Sequence, residues 1–358
     1  MLTVGDHTFD GICIVPNADK NAGFGALITF ALNGVRAALL RNLLPVIDFD
    51  ADSTHRFYDP ACGESIWEYY FEPVMGLSSA DAYQLRDEGV INEDRFFRHP
   101  EADIWHWHHT DPDRIATFWH VDKPDNPAEW ITRKRALGRR FVRDYVRPLP
   151  EIPQQVEELR AARFTSAFKF GVHIRGTDFA YAEPTTPAKH IEAIDRTVAE
   201  RALDDWQVFV ATDQEQFVEL FRERFEERLI TSPSHRSRTG VAPFKLDRVP
   251  AYARGANVLQ DLLLLSRCDF LLKGASSLGE IALWFNPHLE CMDFALTSEA
   301  DTRYYVHRSN AFLKLNVPRA SSLGLYLRQA WLVIGQYFEY RVLKFDPLRR
   351  RVRRAWDR

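Results

Sequence analysis

The chain has 358 residues, 46% of them hydrophobic and 27% charged, with a formal charge of -4. That length exceeds the roughly 100–200 residues of one domain, so two units are expected, and the slight acidity argues against a nucleic-acid binder, which carries a basic field. No basic, apolar leader follows Met1 and no uncharged run of about 18 apolar residues occurs, which predicts a cytoplasmic protein without a membrane span.

Gly11–Val15 reads as a buried strand and 26–41 as a helix, with Leu27, Phe30, Ala31, Val35, Ala38 and Leu39 on one face. A strand at 44–48 completes a βαβ unit. Residues 51–130 are irregular and rich in aromatics and histidine, which suits a segment that shapes a substrate site. Within it stands Trp105-His106-Trp107-His108-His109, where an extended chain puts His106 and His108 on one face. Metal binding, an aromatic wall for a sugar, and plain packing are all open readings of it, and no H-E-x-x-H motif supports the first. A charged helix at 128–146 leads to Pro148, Pro150 and Pro153, where the connection between two units, 1–150 and 160–320, is expected.

The second half alternates more clearly. Phe168–Ile174 reads as a strand, and Thr186 as the N-cap of a helix that starts at Pro187 and turns Ile191, Ile194 and Val198 inward. Strands at 207–212, Leu229–Ile230 and 269–272 then alternate with helices at 214–228, 257–267 and 276–285. This pattern predicts an α/β fold with a parallel sheet covered on both faces. Beyond it, 321–358 reads as a mostly apolar helix and a basic tail, Arg349 to Arg354. The helix packs back on the fold or lies on lipid, and the tail suits peripheral contact with an anionic inner membrane face. The four dispersed cysteines, Cys13, Cys62, Cys268 and Cys291, read as reduced core thiols.

Chemistry concentrates at a few positions. Val172-His173-Ile174-Arg175-Gly176-Thr177-Asp178 lies at the carboxyl end of a strand, where open α/β sheets bind ligands. A guanidinium there can grip a diphosphate; alternatively His173 is a sheet histidine and Arg175 pairs with Asp178. Lys273-Gly274-Ala275-Ser276-Ser277 is a strand end, a small-residue turn and a helix start, which is an anion site by its free N–H groups or a serine N-cap. Asp261 interrupts an apolar helix, and periodicity by itself favours the solvent face for it. Gly23-Phe24-Gly25 followed by Asp48 and Asp50 mimics a dinucleotide-binding unit, but Ile28 falls where the third glycine belongs, which argues against an oxidoreductase.

Four blocks occur in order: His-x-Arg-x-Thr-Asp at 173–178, Val210-Ala211-Thr212-Asp213, the stretch 258–271 with Asp261, Ser266 and Cys268-Asp269, and Ser276-Ser277. Together they resemble the α1,6-fucosyltransferases of N-glycan cores and nodulation factors and, more distantly, the protein O-fucosyltransferases. The resemblance covers about residues 168–287, with an echo in Gly23-Phe24-Gly25-Ala26-Leu27. It implies two Rossmann-like, GT-B-like domains with the donor, GDP-fucose, in the carboxyl-terminal one, a glycan or glycolipid acceptor, inversion at the sugar, and neither cofactor nor metal. Position by position it implies Arg175 on the diphosphate, His173 and Asp261 on the guanine side, Ser276 and Ser277 near the phosphates, Asp178 and Asp213 in the same cleft, and Glu183 as the acceptor's base. The chain departs at Gly176 and Phe179, where those relatives carry arginine and lysine, and at Leu278, where they carry glutamine. Lys273, Arg236 and Arg238 are candidates to restore the missing charge. A non-catalytic glycan- or nucleotide-binding relative is the alternative that these departures leave open.

Overall fold

The computed structural model describes residues 2–54, 56–117, 122, 124–177, 185–238, 242–245 and 249–296. The carboxyl-terminal helix and basic tail expected at 321–358 lie outside the described residues. A hairpin of β1 (Leu2–Val4) and β2 (His7–Phe9) precedes β3 (Gly11–Val15), α1 (Phe24–Leu39) and β4 (Leu43–Ile47). Every residue of β3 and β4 is buried, as befits parallel strands covered on both faces. With β5 (Phe96–Arg98) they form a parallel sheet in the order β4-β3-β5, in which Ile12 sits opposite both Leu44 and Phe96. Gly34 lets α1 lie close on this sheet, since a Cβ there would fall 2.1 Å from Val15 Cγ1.

The stretch expected to be irregular holds α2 (Ser79–Asp87) and α3 (Glu101–His109). In α3 only Ile104 and His108 are buried, a spacing too sparse to read as a helical stripe. His106 and His108 therefore do not share a strand face. His108 turns inward, its ring 4.3 Å from that of Phe30, while His106 pairs with the hydroxyl of Thr110 at 2.6 Å. No group of three His, Cys, Asp or Glu side chains among the described residues is placed to hold a metal ion.

Next come α4 (Pro127–Tyr145), capped by Asn126, and α5 (Glu151–Arg163), which runs through the end of the proline-marked connection. The second sheet is wholly parallel, ordered β10-β9-β6-β7-β8. It comprises β6 (Phe168–Ile174), β7 (Trp206–Thr212), β8 (Leu229–Ile230), β9 (Phe270–Lys273) and β10 (Glu290–Asp293). Its helices are α6 (Pro187–Arg201), α7 (Glu215–Phe225), α8 (Ala251–Ser266) and α9 (Ser277–Phe285). Thr186 caps α6 as expected, its hydroxyl accepting from Lys189 N at 3.2 Å. By contrast α8 starts six residues before the position periodicity suggests. Its first turn is held by tertiary contact: Tyr70 donates to Tyr252 O at 2.9 Å, and Gly255 leaves room for that ring.

One apolar core spans both sheets. It takes Val15 and Ile47 from the first, Phe209 and Leu271 from the second, and the inward faces of α1, α4, α8 and α9. A second cluster, with Phe170, Val172, Ile194, Phe221 and Leu272, covers the far face of the larger sheet beneath α6 and α7. Cys13 and Cys268 are buried in keeping with the thiol reading, but Cys62 is exposed. No helix among the described residues is long and apolar enough to cross a membrane.

Four charges, buried Lys273 and Glu280 with partly buried Arg135 and Asp293, close a square where α4, β9, α9 and β10 meet. Arg135 bonds Glu280 at 2.9 Å and Asp293 at 2.7 Å, and Lys273 bonds the same two at 3.0 and 2.7 Å. Two cations against two anions leave the square neutral, which offsets the desolvation that an unpaired buried ion would suffer. Burial pushes the Glu280 carboxyl up, yet the facing Lys273 and Arg135 outweigh it and hold it down at about 2.

Candidate functional site

The carboxyl ends of β6 and β7 face the start of α1 across a cleft of about 810 Å³, counting the space open to solvent. Gly23, Phe24 and Gly25 line one side; His173, Arg175, Asp213, Asp261 and Ser277 line the rest with loop residues. The location is the crevice outside the strand ends that the α/β arrangement leads one to expect.

Asp213 fixes the turn that presents Arg175. Its carboxylate accepts from Gly176 N at 2.7 Å, from Thr177 N at 3.3 Å, and from the Thr177 hydroxyl. Both oxygens are thereby engaged by the turn, so Asp213, although at the cleft wall, serves as a brace rather than an open ligand. Gly176 is required by space: a Cβ would stand 2.4 Å from Gln214 Cγ and 2.6 Å from the Phe217 ring. An arginine side chain at this position does not fit the packing.

Positive elements converge on the Arg175 guanidinium. A Cβ on Gly23, the N-cap of α1, would lie 3.6 Å from Arg175 Nη1, so the positive end of that helix dipole faces a like charge. The start of α9 approaches the same region, because the Cβ position of Gly25 is 2.6 Å from Ser277 Oγ. Ser276 occupies the N-cap of α9, but its side chain caps nothing. The plain capping role therefore does not account for it, and the first N–H groups of α1 and α9 point as helix starts do, outward along their axes.

The opposite wall is acidic. Asp261 is buried rather than on the solvent face, because the loop 232–238 folds over α8 and covers it. Its Oδ1 has no hydrogen-bond partner. Burial raises its pKa to about 6, against the opposing effects of the Ser232 hydroxyl and Arg236. Asn257, one helical turn before Asp261, joins His235 at 3.2 Å and completes this end. His173 is also buried, held neutral with a pKa near 3 by burial and then by Arg175 and Lys273. Its Nδ1 has no partner and lies beside Gly279 in the first turn of α9.

Asp178 and Glu183 lie outside the described residues, as does Phe179. The cations nominated to replace missing charge are engaged elsewhere. Lys273 belongs to the buried square, Arg238 bonds Glu219 at 2.8 Å, and Arg236 donates to Ser232 O at 3.1 Å beneath Asp261. Sequence reasoning passed over Asn257, Phe244 and Arg254, all of which line the cleft. The four-residue spacing of Asn257 and Asp261 was the available sign that both share a helix face; the other two stand where no periodicity runs.

No family model matches the chain, and no curated protein matches it. Solved structures similar to it include the fucosyltransferase NodZ from Bradyrhizobium, at 17% identity over 78% of this chain and 95% of that one, with a TM-score of 0.47. A NodZ α-1,6-fucosyltransferase soaked with GDP-fucose gives 17% identity, 78% and 93% coverage, and a TM-score of 0.46. POFUT1 in complex with GDP gives 11%, 80% and 99%, and a TM-score of 0.45.

Proposed function

We propose that the chain is an inverting glycosyltransferase that takes a GDP-sugar, GDP-fucose in the narrower reading, and transfers the sugar to a hydroxyl of a glycan or glycolipid. One observation carries it: a single cleft pairs an anion-suited end, with Arg175 and two helix starts, with a buried carboxylate, Asp261, whose Oδ1 is unpartnered. Guanine presents two adjacent N–H donors on one edge, which a carboxylate accepts together; adenine and uracil present no such pair. The diphosphate of the same nucleotide reaches the Arg175 end.

Displacement at the anomeric carbon needs charge stabilisation on the departing diphosphate and removal of the acceptor's proton. Arg175 and the N–H groups at Ser277 and Gly25 meet the first need with donors already in place. Ser276, at the start of α9, stands with them on the phosphate side, and His173 joins Asp261 on the guanine side, as the motif implies. For the second need Glu183 is the candidate base and Asp178 its neighbour, both on the strength of the sequence motif. Neither metal nor cofactor enters this reading.

Thermal shift with GDP, UDP and ADP tests it. GDP at about 100 times its Kd should add about 2.7 kcal/mol of stability, with little from the others. Stabilisation by UDP but not GDP would remove the assignment. GDP-fucose turnover should fall roughly 10²–10⁴-fold in Glu183→Gln with GDP affinity kept.

A further inference from the structure

A nucleotide diphosphate carries more than one negative charge, and bond cleavage at the sugar concentrates that charge on the leaving group. Accepting the donor reading above, Arg175 is the guanidinium of the β6 loop, and the packing around Gly176 admits no second one beside it. Lys273 and Arg238 are ion-paired, and Arg236 is turned to a carbonyl. Another arginine, from the amino-terminal half, packs against residues that line the cleft.

Arg56 borders two lining residues of the cleft, Phe244 and Arg254. Its Nη2 donates to the side-chain oxygen of Asn21 at 3.2 Å, two residues before Gly23. Its Cζ stands 5.8 Å from the centre of the Phe244 ring. That ring comes within 3.7 Å of the Gly23 Cβ position, the same point that lies 3.6 Å from Arg175 Nη1. The carbonyl of Arg56 accepts from Arg254 Nη1 at 2.7 Å, and Arg254 and Phe244 both line the cleft. Among the described residues Arg56 has no carboxylate partner, and its Nε is buried without any hydrogen bond. A guanidinium has five N–H donors, and a buried one left unmatched is unfavourable. An aromatic face steadies the cation without consuming those donors.

We propose that Arg56 is a second donor-binding residue, taking a diphosphate oxygen from the side of the cleft opposite the β6 loop. The nucleotide is then gripped from both halves of the chain, with Phe244 as the support that orients the second guanidinium.

The test titrates the full chain with guanosine, GDP and inorganic pyrophosphate. Arg56→Gln keeps the stem and a donor for Asn21 but loses the charge. It should weaken GDP and pyrophosphate about 10- to 100-fold, the range for a hydrogen bond to a charged group. Guanosine affinity should stay unchanged, and the salt dependence of GDP binding should flatten. Arg56→Lys, which retains a charge without the planar fork, should recover part of the loss, and it serves the same comparison if the glutamine variant does not fold. An equal weakening of guanosine and GDP, or no weakening of either, overturns the role of Arg56 alone. A wild-type chain that binds guanosine and GDP equally well overturns the donor reading together with it.

Discussion

Gly25 and Ser277 face each other so closely that a Cβ on the glycine would lie 2.6 Å from the serine Oγ and 3.3 Å from Leu278 N. The starts of α1 and α9 are thus in contact, and the spacing of their free N–H groups is set by the absence of one methyl group. Gly25→Ala should force Ser277 into another rotamer and push the helix starts apart, at about 1–3 kcal/mol. A lower melting temperature together with weaker GDP binding is the expected result, read by calorimetry and titration.

On the proposed donor reading Arg175→Ala should remove GDP affinity and turnover together, because the diphosphate would be held before and during the reaction alike. A loss of at least about 10-fold in affinity follows from one charge-assisted hydrogen bond, more if the grip is bidentate. Arg175→Lys should regain only part of it, since an ammonium lacks the fork.

Binding should depend on pH through Asp261. Its folded pKa of about 6 lies above the ordinary 3.8, so the fold favours the protonated acid. The ligand-free protein is accordingly relieved of this group's burden at low pH, and loses about 3 kcal/mol from it as pH rises from about 4 to 6. Guanine needs the carboxylate, so GDP affinity should rise with pH up to about 6 and level off above. Asp261→Asn should abolish that Asp261-linked rise and weaken binding throughout. Comparison of the two proteins by titration between pH 5 and 8 cancels the ionisation of the nucleotide's own phosphate.

An arginine introduced at position 176 should harm this chain. In Gly176→Arg the new Cβ meets Gln214 and the Phe217 ring, which are packed under the turn that Asp213 braces. A lower melting temperature and weaker GDP binding are expected. Improved turnover in this variant would show that the turn can open at little cost.

Glu280→Gln should leave Lys273 and Arg135 facing only Asp293, an uncompensated buried positive charge worth about 3–5 kcal/mol of lost stability. The wild-type square contributes its stability above the ordinary carboxylate pKa of 4.5 and loses it as pH falls toward about 2. Acid unfolding followed by circular dichroism should therefore shift to higher pH when the square is already broken.

Local pattern revealed the βαβ opening, the alternation after residue 168 and the Arg175 turn, because strand burial and the small residues at strand ends are local properties. It did not reveal β5, three residues long, or α3, whose two inward residues leave no stripe. The burial of Asp261 was hidden because the loop that covers it comes from another part of the chain. Lys273 looked like a free cation for the same reason: its partners are Glu280 and Asp293, and the arginine that balances them belongs to α4. Arg56 and Phe244 were illegible, since what brings them to the cleft is packing between halves.

The meeting of Gly25 with Ser277 also sets an order of assembly. The two residues are separated by roughly 250 positions, which a ribosome adding ~5–20 residues per second takes on the order of 10–50 s to complete. Throughout that interval α1 can already pack on β3 and β4, but the start of α9 that Gly25 meets is not yet translated. The wall of the cleft built from Gly23 to Gly25 is therefore synthesised well before the serine that it faces. A chain that ends before residue 277 lacks Ser277 and Leu278 and with them one wall of the cleft.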